Sequence, residues 1–350
     1  MLGPIALRAK APLTGVPPPA EGLLKTMLTS YHICFITKGS MSIPVPRNEE
    51  RPTKPSWLKA RAPGSPQYLE TKGIVKSLRL HTVCEEARCP NIGECWSHHT
   101  ATFMIMGDLC TRRCHFCSVK KGDSDTLKPL DQFEPERVGI AVRELKLKHA
   151  VITSVDRDDV ADNGAEHFCK TVAAVHKHAP NCKVELLIPD LKGSMRDLET
   201  IMGSRIDVLN HNVETVPRMY KKVRPGAGYI RSLTILKHAK ECDHNVLTKS
   251  GIMLGLGEGR DEVLRLMDDL RASNVDIMTI GQYLRPSDRQ LPVREFITPE
   301  EFVEYEREGL ARGFKFVESG ALVRSSYHAW KHTAGLHTAG LHTAGLHTAG

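Results

Sequence analysis

Six of the ten cysteines in this 350-residue chain lie within 34 residues, and their spacing divides them into two groups of three. The first group is Cys84, Cys89 and Cys95, and the second is Cys110, Cys114 and Cys117. Disulfide frameworks use cysteines in pairs, and a structural zinc ion takes four ligands. Three thiolates suit a [4Fe–4S] cluster better, because one iron of the cube then stays open for a different ligand.

The second group has the spacing C-x3-C-x2-C, in Cys110-Thr-Arg-Arg-Cys114-His-Phe-Cys117. It directly follows a predicted strand, and its short spacings let one loop bring three sulfurs onto one cube. A zinc knuckle with a remote fourth ligand is the alternative, which the spacing, Phe116 and the preceding strand disfavour. We therefore predict a cluster whose fourth iron has no local protein ligand.

The first group has the spacing C-x4-C-x5-C, in Cys84-Glu-Glu-Ala-Arg-Cys89-Pro-Asn-Ile-Gly-Glu-Cys95. Pro90 and Gly93 predict a loop that can wrap around a cluster. Taken alone, these three cysteines fit a structural role as well as they fit a second cluster.

Short β-rich runs alternate with amphipathic helical patterns along the middle of the chain. The predicted strands are Ala101–Gly107, Ala150–Val155, Lys183–Pro189, Ile206–Val213, Gly251–Gly257, Asp276–Leu284 and Lys315–Ser319. Helices are predicted over Ala165–His178 and Thr298–Arg312, the second with Thr298 as N-cap and Glu301 closing a capping box. This alternation predicts an α/β fold with a parallel sheet, open or closed into a barrel, and chemistry at the carboxyl ends of its strands.

Composition and charge exclude some classes of protein. With 25% charged and 41% hydrophobic residues, the chain has the composition of a soluble globular protein. The formal net charge of +7 fits an acidic partner or simply a lysine-rich surface, but aromatic residues are only 5%. A zinc-binding nucleic-acid module is therefore disfavoured, and we expect no nucleic-acid partner. No apolar run approaches the ~20 residues that span a bilayer, so no membrane span is expected.

Both ends of the chain differ from its middle. Residues 1–52 are predicted to form a disordered or targeting segment, since they are rich in Pro and Ser and lack periodicity. A single acid, Glu21, in the first 48 residues fits a mitochondrial transit peptide, but Pro17-Pro18-Pro19 disfavours its amphipathic helix. From His332 to residue 350 the chain repeats His-Thr-Ala-Gly-Leu, predicting a disordered tail or, alternatively, a metal-binding tract. We expect residues 1–40 and 332–350 to be dispensable for turnover.

The sequence resembles the lipoyl synthase family of the radical S-adenosylmethionine (SAM) superfamily over about residues 53–329. The motifs that carry the resemblance are His81–Trp96 (HTVCEEARCPNIGECW), Cys110–Lys120 (CTRRCHFCSVK), Thr153–Asp159 (TSVDRDD), His211–Val216 (HNVETV), Gly251–Glu258 (GIMLGLGE), Gly281–Tyr283 (GQY) and Val323–Ala329 (VRSSYHA). The resemblance implies a partial (β/α)6 TIM-type barrel over residues 101–320. An N-terminal extension, residues 53–100, would carry an auxiliary cluster, and a C-terminal element, residues 321–331, would complete it ahead of the tail at 332–350.

The resemblance also implies how each cluster is completed. Cys110, Cys114 and Cys117 would hold the cluster whose open iron chelates the amino and carboxylate groups of SAM. Cys84, Cys89 and Cys95 would hold the auxiliary cluster, and a serine oxygen, matched by the motif to Ser326, would be its fourth ligand. From the residues alone, Ser325 and Ser326 predict only a turn or a cap. An alkoxide is a harder and more easily displaced ligand than a thiolate, which suits a cluster that is taken apart.

Polar residues at predicted strand ends are candidate SAM contacts, with ordinary loop chemistry as the alternative for each. Thr153 and Ser154 could hydrogen-bond the methionyl amine, and Asn212 and Glu214 could contact the ribose or the methionine. Gly255 could let the backbone approach the adenine closely.

The resemblance implies a sulfur-insertion reaction on a protein-bound octanoyl chain. The substrate would be an octanoyl group on a lysine of a lipoyl carrier domain or a glycine-cleavage carrier protein. Two deoxyadenosyl radicals would remove hydrogens from C6 and C8, and the auxiliary cluster would supply both sulfur atoms. A biotin-synthase type enzyme is the nearest alternative, but it shares only the second cysteine group.

The cofactors and partners follow from the same resemblance. Two [4Fe–4S] clusters and SAM are the expected cofactors. An electron donor of ferredoxin or flavodoxin type and an iron–sulfur cluster delivery protein are the further expected partners. We expect a cytoplasmic protein, or a mitochondrial one if residues 1–40 are a transit peptide.

Overall fold

The computed structural model describes residues 53–60, 62–98, 100–123 and 125–334 of the chain. The expectation of a disordered or targeting segment over residues 1–52 falls outside these ranges, as does the repeat from residue 335 onward. None of the helices in the described ranges combines the length and apolar character that crossing a bilayer requires.

In the described ranges, eight strands form one sheet in the order β1-β2-β5-β6-β7-β8-β9-β10, and β3 and β4 form a separate pair. The strands are β1 His81–Thr82, β2 Thr102–Ile105, β3 Leu109–Cys110, β4 Lys120–Lys121, β5 His149–Ser154, β6 Lys183–Leu187, β7 Val208–Asn210, β8 Leu247–Leu254, β9 Ile277–Gln282 and β10 Phe316–Gly320. Strand β1 is antiparallel to β2, and every other neighbouring pair is parallel.

Helices connect the successive strands of the large sheet. They are α1 Pro66–Ser77, α2 Val83–Glu86, α3 Ile92–Ser97, α4 Glu134–Glu144, α5 Ala165–His178, α6 Met195–Met202, α7 Tyr220–Val223, α8 Tyr229–Cys242, α9 Arg260–Ala272, α10 Pro299–Ala311 and α11 Ala329–Ala334. Short 3-10 turns occur at Leu191–Gly193 and Pro217–Met219.

The order of strands and helices confirms the partial barrel. From β2 to β9, six strands of the described chain are each followed by at least one helix and then by the neighbouring parallel strand, and β10 ends the series. The strands are buried on both faces, as β9 illustrates with all six of its residues buried. Within the described residues β2 and β10 do not pair, so the barrel stays open between them.

The N-terminal extension is joined to the first strand of the barrel. Strand β1 pairs with β2 in a register that sets His81 opposite Met104, and Cys84 follows β1 directly. Trp96 on α3 is fully buried, and its carbonyl accepts a hydrogen bond from Thr71 Oγ1 on α1 at 3.1 Å. The first cysteine group is therefore held beside the barrel by both strand pairing and helix packing.

The helix boundaries predicted from caps and periodicity are confirmed. Helix α5 spans the predicted Ala165–His178, and α10 has Thr298 as N-cap with Glu301 completing the capping box. The strand prediction over Gly251–Gly257 is wrong at both ends, since β8 runs from Leu247 to Leu254. The first residues of β8 include buried polar side chains, so the pattern of apolar residues does not indicate a strand there.

The predicted start of the disordered tail at residue 332 is also wrong. Helix α11 continues through this position, and the side chain of His332 is fully buried. The expectation that everything from His332 onward is dispensable is therefore corrected at His332, because a buried polar side chain is part of the folded protein.

We predict that Gly139→Ala destabilises the protein. A Cβ atom at Gly139 on α4 would lie 2.5 Å from the carbonyl oxygen of Ala174 on α5, which cannot move without shifting the helix. The free energy of unfolding, measured by chemical denaturation, should fall by about 1–3 kcal/mol through overpacking.

The matched control is Gly73→Ala on α1, where a Cβ atom would meet nothing within 4 Å. This change should raise the free energy of unfolding by about 0.5–1 kcal/mol, because alanine favours a helix. Equal effects of the two substitutions would contradict the close packing of α4 on α5.

Candidate metal centre and active site

A cavity of about 320 Å³ opens at the carboxyl ends of the parallel strands. Among the described residues it is lined by five of the six clustered cysteines, Cys95 being the exception. Other predicted site residues on its wall are Thr153, Ser154, Asn212, Glu214, Ser325 and Ser326. Gly255 does not line it. The barrel thus brings both cysteine groups and the serine pair to one chamber.

The second cysteine group forms a loop framed by the β3–β4 pair and by α7. Cys110 ends β3, and its carbonyl accepts from Gly122 N at 3.0 Å. His115 N donates to the carbonyl of Val223 at 2.9 Å, which fixes the outer side of the loop. Backbone contacts within the fold therefore hold the loop on two sides.

A buried arginine ties this loop to the strand ends. Arg112 Nε and Nη2 donate to the two carboxylate oxygens of Asp158 at 2.6 and 2.9 Å, and Nη2 also lies 2.8 Å from Asp190 Oδ1. Asp190 is fully buried and is also paired with Arg231 at 2.9 Å. Burial alone would raise the pKa of Asp190, but Arg112 holds it at about 2, so it remains a carboxylate.

The loop after β5 adds backbone contacts to the same anchor. Thr111 donates from both its amide and its hydroxyl to the carbonyl of Asp156 at 3.0 Å. Burial, together with the charges of Asp158 and Asp190, raises the pKa of Asp156 to about 6. The Asp-Arg-Asp-Asp motif at residues 156–159 thus positions the cysteine loop rather than lying free in solvent.

The first cysteine group consists of thiols that interact electrostatically. Burial raises the pKa of Cys84 to about 12, and repulsion from Cys89 adds to this shift. Burial also raises the pKa of Cys95, and Cys84 and Cys89 both contribute, although Cys95 itself lines a second cavity of about 510 Å³. The three thiols are therefore near enough to influence one another's pKa, although Cys95 lines a different cavity from Cys84 and Cys89.

The donor set fits iron–sulfur clusters. None of the six clustered cysteines is in a disulfide. Burial raises the pKa of Cys114 to about 12, so without a cation these thiols stay protonated. Bound metal reverses this preference, because its positive charge favours thiolates. Each group offers three partly or fully buried thiols, which suits a cube with one open iron more than a zinc site with four protein ligands.

The cavity also contains polar atoms that fit SAM. Within the described residues, Ser154 Oγ, Asn212 Oδ1 and Arg224 Nε are buried and have no hydrogen-bond partner. Unpaired buried polar groups are rare in native proteins and call for an explanation. Two acceptors and one donor on one wall suit a ligand that carries both an ammonium and a carboxylate group.

Two other predicted contacts are partly used by the fold. Thr153 Oγ1 donates to the carbonyl of Leu187 at 2.8 Å, so its proton is not available to a ligand. Glu214 has a left-handed backbone with φ 66° and accepts from Asn212 Nδ2 at 3.2 Å. Burial raises the pKa of Glu214, and Arg224 opposes this shift.

The position of Gly255 does not support an adenine contact. Its φ of 102° favours glycine, and a Cβ atom there would overlap Gln282 and the carbonyl of Glu295. Glu258 Oε2 accepts from the amides of Gly255, Leu256 and Gly257 at 2.9–3.1 Å. The glycines of this loop are needed for its internal packing.

The serine pair is held against the first cysteine group by contacts across the chain. Asn91 Nδ2 donates to the carbonyl of Leu322 at 2.7 Å, and Tyr327 OH donates to Glu94 Oε1 at 3.2 Å. Asn91 and Glu94 both lie between Cys89 and Cys95. These two contacts bracket the serines and bring them to the first group.

The sequence did not indicate a site role for Arg224, which is half-buried. Arg224 Nη1 donates to the carbonyl of Asn212 at 2.7 Å, and its guanidinium lies 5.6 Å from the ring centre of Tyr220. Arg112 and Arg324 each had a local signal, since Arg112 lies inside the cysteine motif and Arg324 precedes the serines in the motif Val323–Ala329.

A partial (β/α)6 barrel with a three-cysteine loop at its carboxyl end defines an enzyme of the radical SAM class. Residues 104–270 match the model of the radical SAM superfamily, and residues 40–89 match the N-terminal domain of lipoyl synthase. The chain belongs to the lipoyl synthase family. It is 54% identical to the lipoyl synthase of Rubrobacter xylanophilus, over 83% of this chain and 90% of that protein.

A second relative and a solved structure agree with this assignment. The lipoyl synthase of Chloroflexus aurantiacus is 51% identical over 81% of this chain and 91% of its own length. The crystal structure of Streptococcus suis SuiB bound to S-adenosylmethionine has a TM-score of 0.50 and 11% identity, covering 70% of this chain and 56% of that one. At this identity the structural likeness concerns the fold alone.

We predict that Arg112→Gln weakens the cysteine loop. The change removes the cation from two carboxylates, one of them fully buried, and should lower the free energy of unfolding by about 3 kcal/mol. Chemical denaturation measures this loss, and iron content after anaerobic reconstitution should fall with it.

The neighbouring Arg113→Gln is the matched control. Arg113 pairs with Asp123, and both side chains are more than 60% exposed. Such surface pairs contribute about 0–1 kcal/mol, so stability and iron content should stay close to those of the unmodified protein. If Arg113→Gln were the more damaging change, the anchoring role of Arg112 would be wrong.

Proposed function

We propose that the chain catalyses the lipoyl synthase reaction, the insertion of two sulfur atoms at C6 and C8 of a protein-bound octanoyl chain. It is a sulfurtransferase that uses SAM and two [4Fe–4S] clusters. The observation that carries the proposal is that one cavity is lined by five of the six clustered cysteines, with members of both groups, and by the serine pair. A single chamber lets the site of radical formation and the source of sulfur act on one substrate chain.

Each cysteine group would hold one cluster. Cys110, Cys114 and Cys117 would bind the SAM-cleaving cluster, and Cys84, Cys89, Cys95 and Ser326 the auxiliary one. When bound, the clusters supply the electron for reductive cleavage of SAM and the sulfur for insertion. The assignment is supported by the contacts that hold the serine segment to the first cysteine group, and by the burial of one thiol in each group, Cys84 and Cys110.

The residues proposed to bind SAM are those with unused polar atoms. Ser154 Oγ and Asn212 Oδ1 would accept from the ammonium group, and the Arg224 guanidinium would face the carboxylate. Glu214 and Thr153 would shape the same wall. The support for this assignment is that three residues of the cavity lining each have a buried polar atom without a hydrogen-bond partner among the described residues.

The space between the two cysteine groups suits an alkyl chain. Met104, Ile252, Met253, Tyr283 and Leu284 line the cavity and give it largely apolar walls. Burying a methylene group contributes about 0.8 kcal/mol, so an octanoyl chain gains affinity from this surface alone. The same walls exclude water, which protects a carbon radical from side reactions.

The carrier protein would be a lipoyl carrier domain or a glycine-cleavage carrier protein that presents the octanoyl-lysine. Reductive cleavage needs one electron for each SAM, so we propose a ferredoxin- or flavodoxin-type donor. Since the auxiliary cluster is consumed, an iron–sulfur cluster delivery protein would restore it. A cytoplasmic location, or a mitochondrial one if residues 1–40 are a transit peptide, stays a prediction.

Two triple variants should separate the two cysteine groups. Replacing Cys110, Cys114 and Cys117 by Ala should abolish 5′-deoxyadenosine formation while one cluster stays bound. Replacing Cys84, Cys89 and Cys95 by Ala should retain SAM cleavage and lose sulfur insertion, because only the donor is removed.

Anaerobic iron and sulfide quantitation provides the control for these variants. The unmodified protein should hold roughly eight of each per chain, and each triple variant roughly four. Zinc without sulfide would overturn the proposed function, and so would 5′-deoxyadenosine from the Cys110 triple variant.

We predict that Ser326→Ala keeps SAM cleavage and loses most of the second sulfur insertion, and that Ser325→Ala is milder. Both serines lie in a turn and line the cavity, so the choice of Ser326 over Ser325 rests on the motif match. Ser326→Cys should still assemble the auxiliary cluster but slow its dismantling, because a thiolate is displaced less easily than an alkoxide.

Mass spectrometry of the mono-thiolated and fully lipoylated carrier measures each step. If Ser325→Ala were the more damaging change, the fourth ligand would be Ser325 rather than Ser326. Normal turnover by Ser326→Cys would contradict the role of a weak fourth ligand.

A further inference from the structure

A buried ion pair lies inside the barrel, one layer below the cavity. Lys249 Nζ on β8 is 2.9 and 3.2 Å from the two carboxylate oxygens of Glu185 on β6, and both side chains are fully buried. Lys249 lies two residues before Gly251, and Glu185 lies two residues before Leu187; both Gly251 and Leu187 line the cavity. Because side chains alternate along a strand, Lys249 and Glu185 lie on the same face of their strands as these two residues. A layer of charged side chains therefore lies directly below the active-site cavity.

Other polar groups surround this pair. Asn210 Nδ2 donates to Glu185 Oε1 at 2.9 Å, and His149 Nε2 lies 3.5 Å from Glu185 Oε2. Burial would raise the pKa of Glu185, but Lys249 and His149 lower it to about 2. The carboxylate of Glu185 therefore has several donors. The ammonium group of Lys249 has three hydrogens, and one of them is left for an acceptor other than Glu185.

His332 supplies the acceptor for that hydrogen. Its Nδ1 atom lies 3.3 Å from Lys249 Nζ, so Lys249 donates and the ring proton is on Nε2. Nε2 faces Glu318 Oε2 at 3.8 Å, and the ring packs 5.6 Å from that of Phe316. Burial lowers the pKa of His332 and the Lys249 charge lowers it further, which keeps the ring neutral in this role.

The position of His332 in the chain connects this contact to the active site. It lies six residues after Ser326, on the short helix α11. Among residues 330–332 it is the buried one, since Trp330 and Lys331 are exposed. The segment from Leu322 to His332 is thus fixed at one end by Asn91 and Glu94 and at the other by the ion pair inside the barrel.

We propose that His332 is a positioning residue that anchors the serine segment to the buried Glu185–Lys249 pair and so holds Ser326 in place at the auxiliary cluster. The proposal rests on the proposed function, because it takes Ser326 as a ligand of that cluster. It also gives the first histidine of the repeat a different role from the later ones.

The test compares His332→Ala with His332→Asn and with His337→Ala, the next histidine of the repeat. The Oδ1 atom of asparagine takes the place of Nδ1, so it offers Lys249 an acceptor and should rescue the anchor, whereas alanine leaves the buried ammonium with an unpaired donor. Chains ending at Lys331 and at Ala334 form a second matched pair.

Amide hydrogen exchange over residues 321–331 is the first readout. We expect exchange to become about tenfold faster in His332→Ala and in the chain ending at Lys331, because the segment opens locally without its anchor. His332→Asn, His337→Ala and the chain ending at Ala334 should exchange like the unmodified protein. Unchanged exchange in His332→Ala would overturn the anchor; if that variant does not fold, His332→Leu, which fills the space without an acceptor, is judged by the same criterion.

The second readout is the iron content, together with separate measurements of SAM cleavage and sulfur insertion. His332→Ala should keep 5′-deoxyadenosine formation, hold less iron at the auxiliary site and make about tenfold less fully lipoylated carrier. Equal loss of both activities would contradict a role confined to the serine segment. Faster exchange together with a harmless Ser326→Ala would instead show that the anchor exists and that the serine ligand assignment has failed.

Discussion

The buried guanidinium of Arg112 is the contact on which the geometry of the active site depends. It joins a cysteine loop to the loops that follow two neighbouring strands, β5 and β6, through Asp158 and Asp190. Because parallel strands end at one edge, a cation between their loops fixes the cysteine sulfurs relative to the whole cavity wall. Taking such a charge out of water is costly, so the arrangement persists only while every carboxylate stays in position.

The second cysteine group is local, but the first site is assembled from both ends of the folded chain. Asn91 contacts Leu322 and Glu94 contacts Tyr327, across separations of 231 and 233 residues. These contacts join residues that the whole barrel separates along the chain. This long-range construction separates the proposed source of sulfur from the loop proposed to bind SAM, while one cavity is lined by residues of both.

Local sequence patterns predicted the features that depend on neighbouring residues. They did not predict the features that depend on contacts between residues far apart in the chain. Cysteine spacing identified both groups, and caps set the ends of α5 and α10. The search for apolar runs missed the first four residues of β8, because Lys249 is buried by a partner, Glu185, 64 residues away. Gly255 has a distant constraint of its own, since a Cβ atom there would overlap Gln282, and its proposed contact with adenine stays a prediction. His332 looked like part of a repeat, since nothing nearby in sequence reveals a buried ion pair.

The charged layer inside the barrel has a consequence for how the strands align. In the observed register, Lys249 on β8 lies opposite Asn210 on β7, and Val208 lies opposite Glu185 on β6. A slip of β8 by two residues would leave every side chain on its present face, so hydrophobic burial would hardly oppose it. It would, however, carry the ammonium away from its carboxylate and leave two unpaired charges in the interior, at a cost of several kcal/mol. One salt bridge thereby excludes the misaligned barrels that an entirely apolar interior would tolerate.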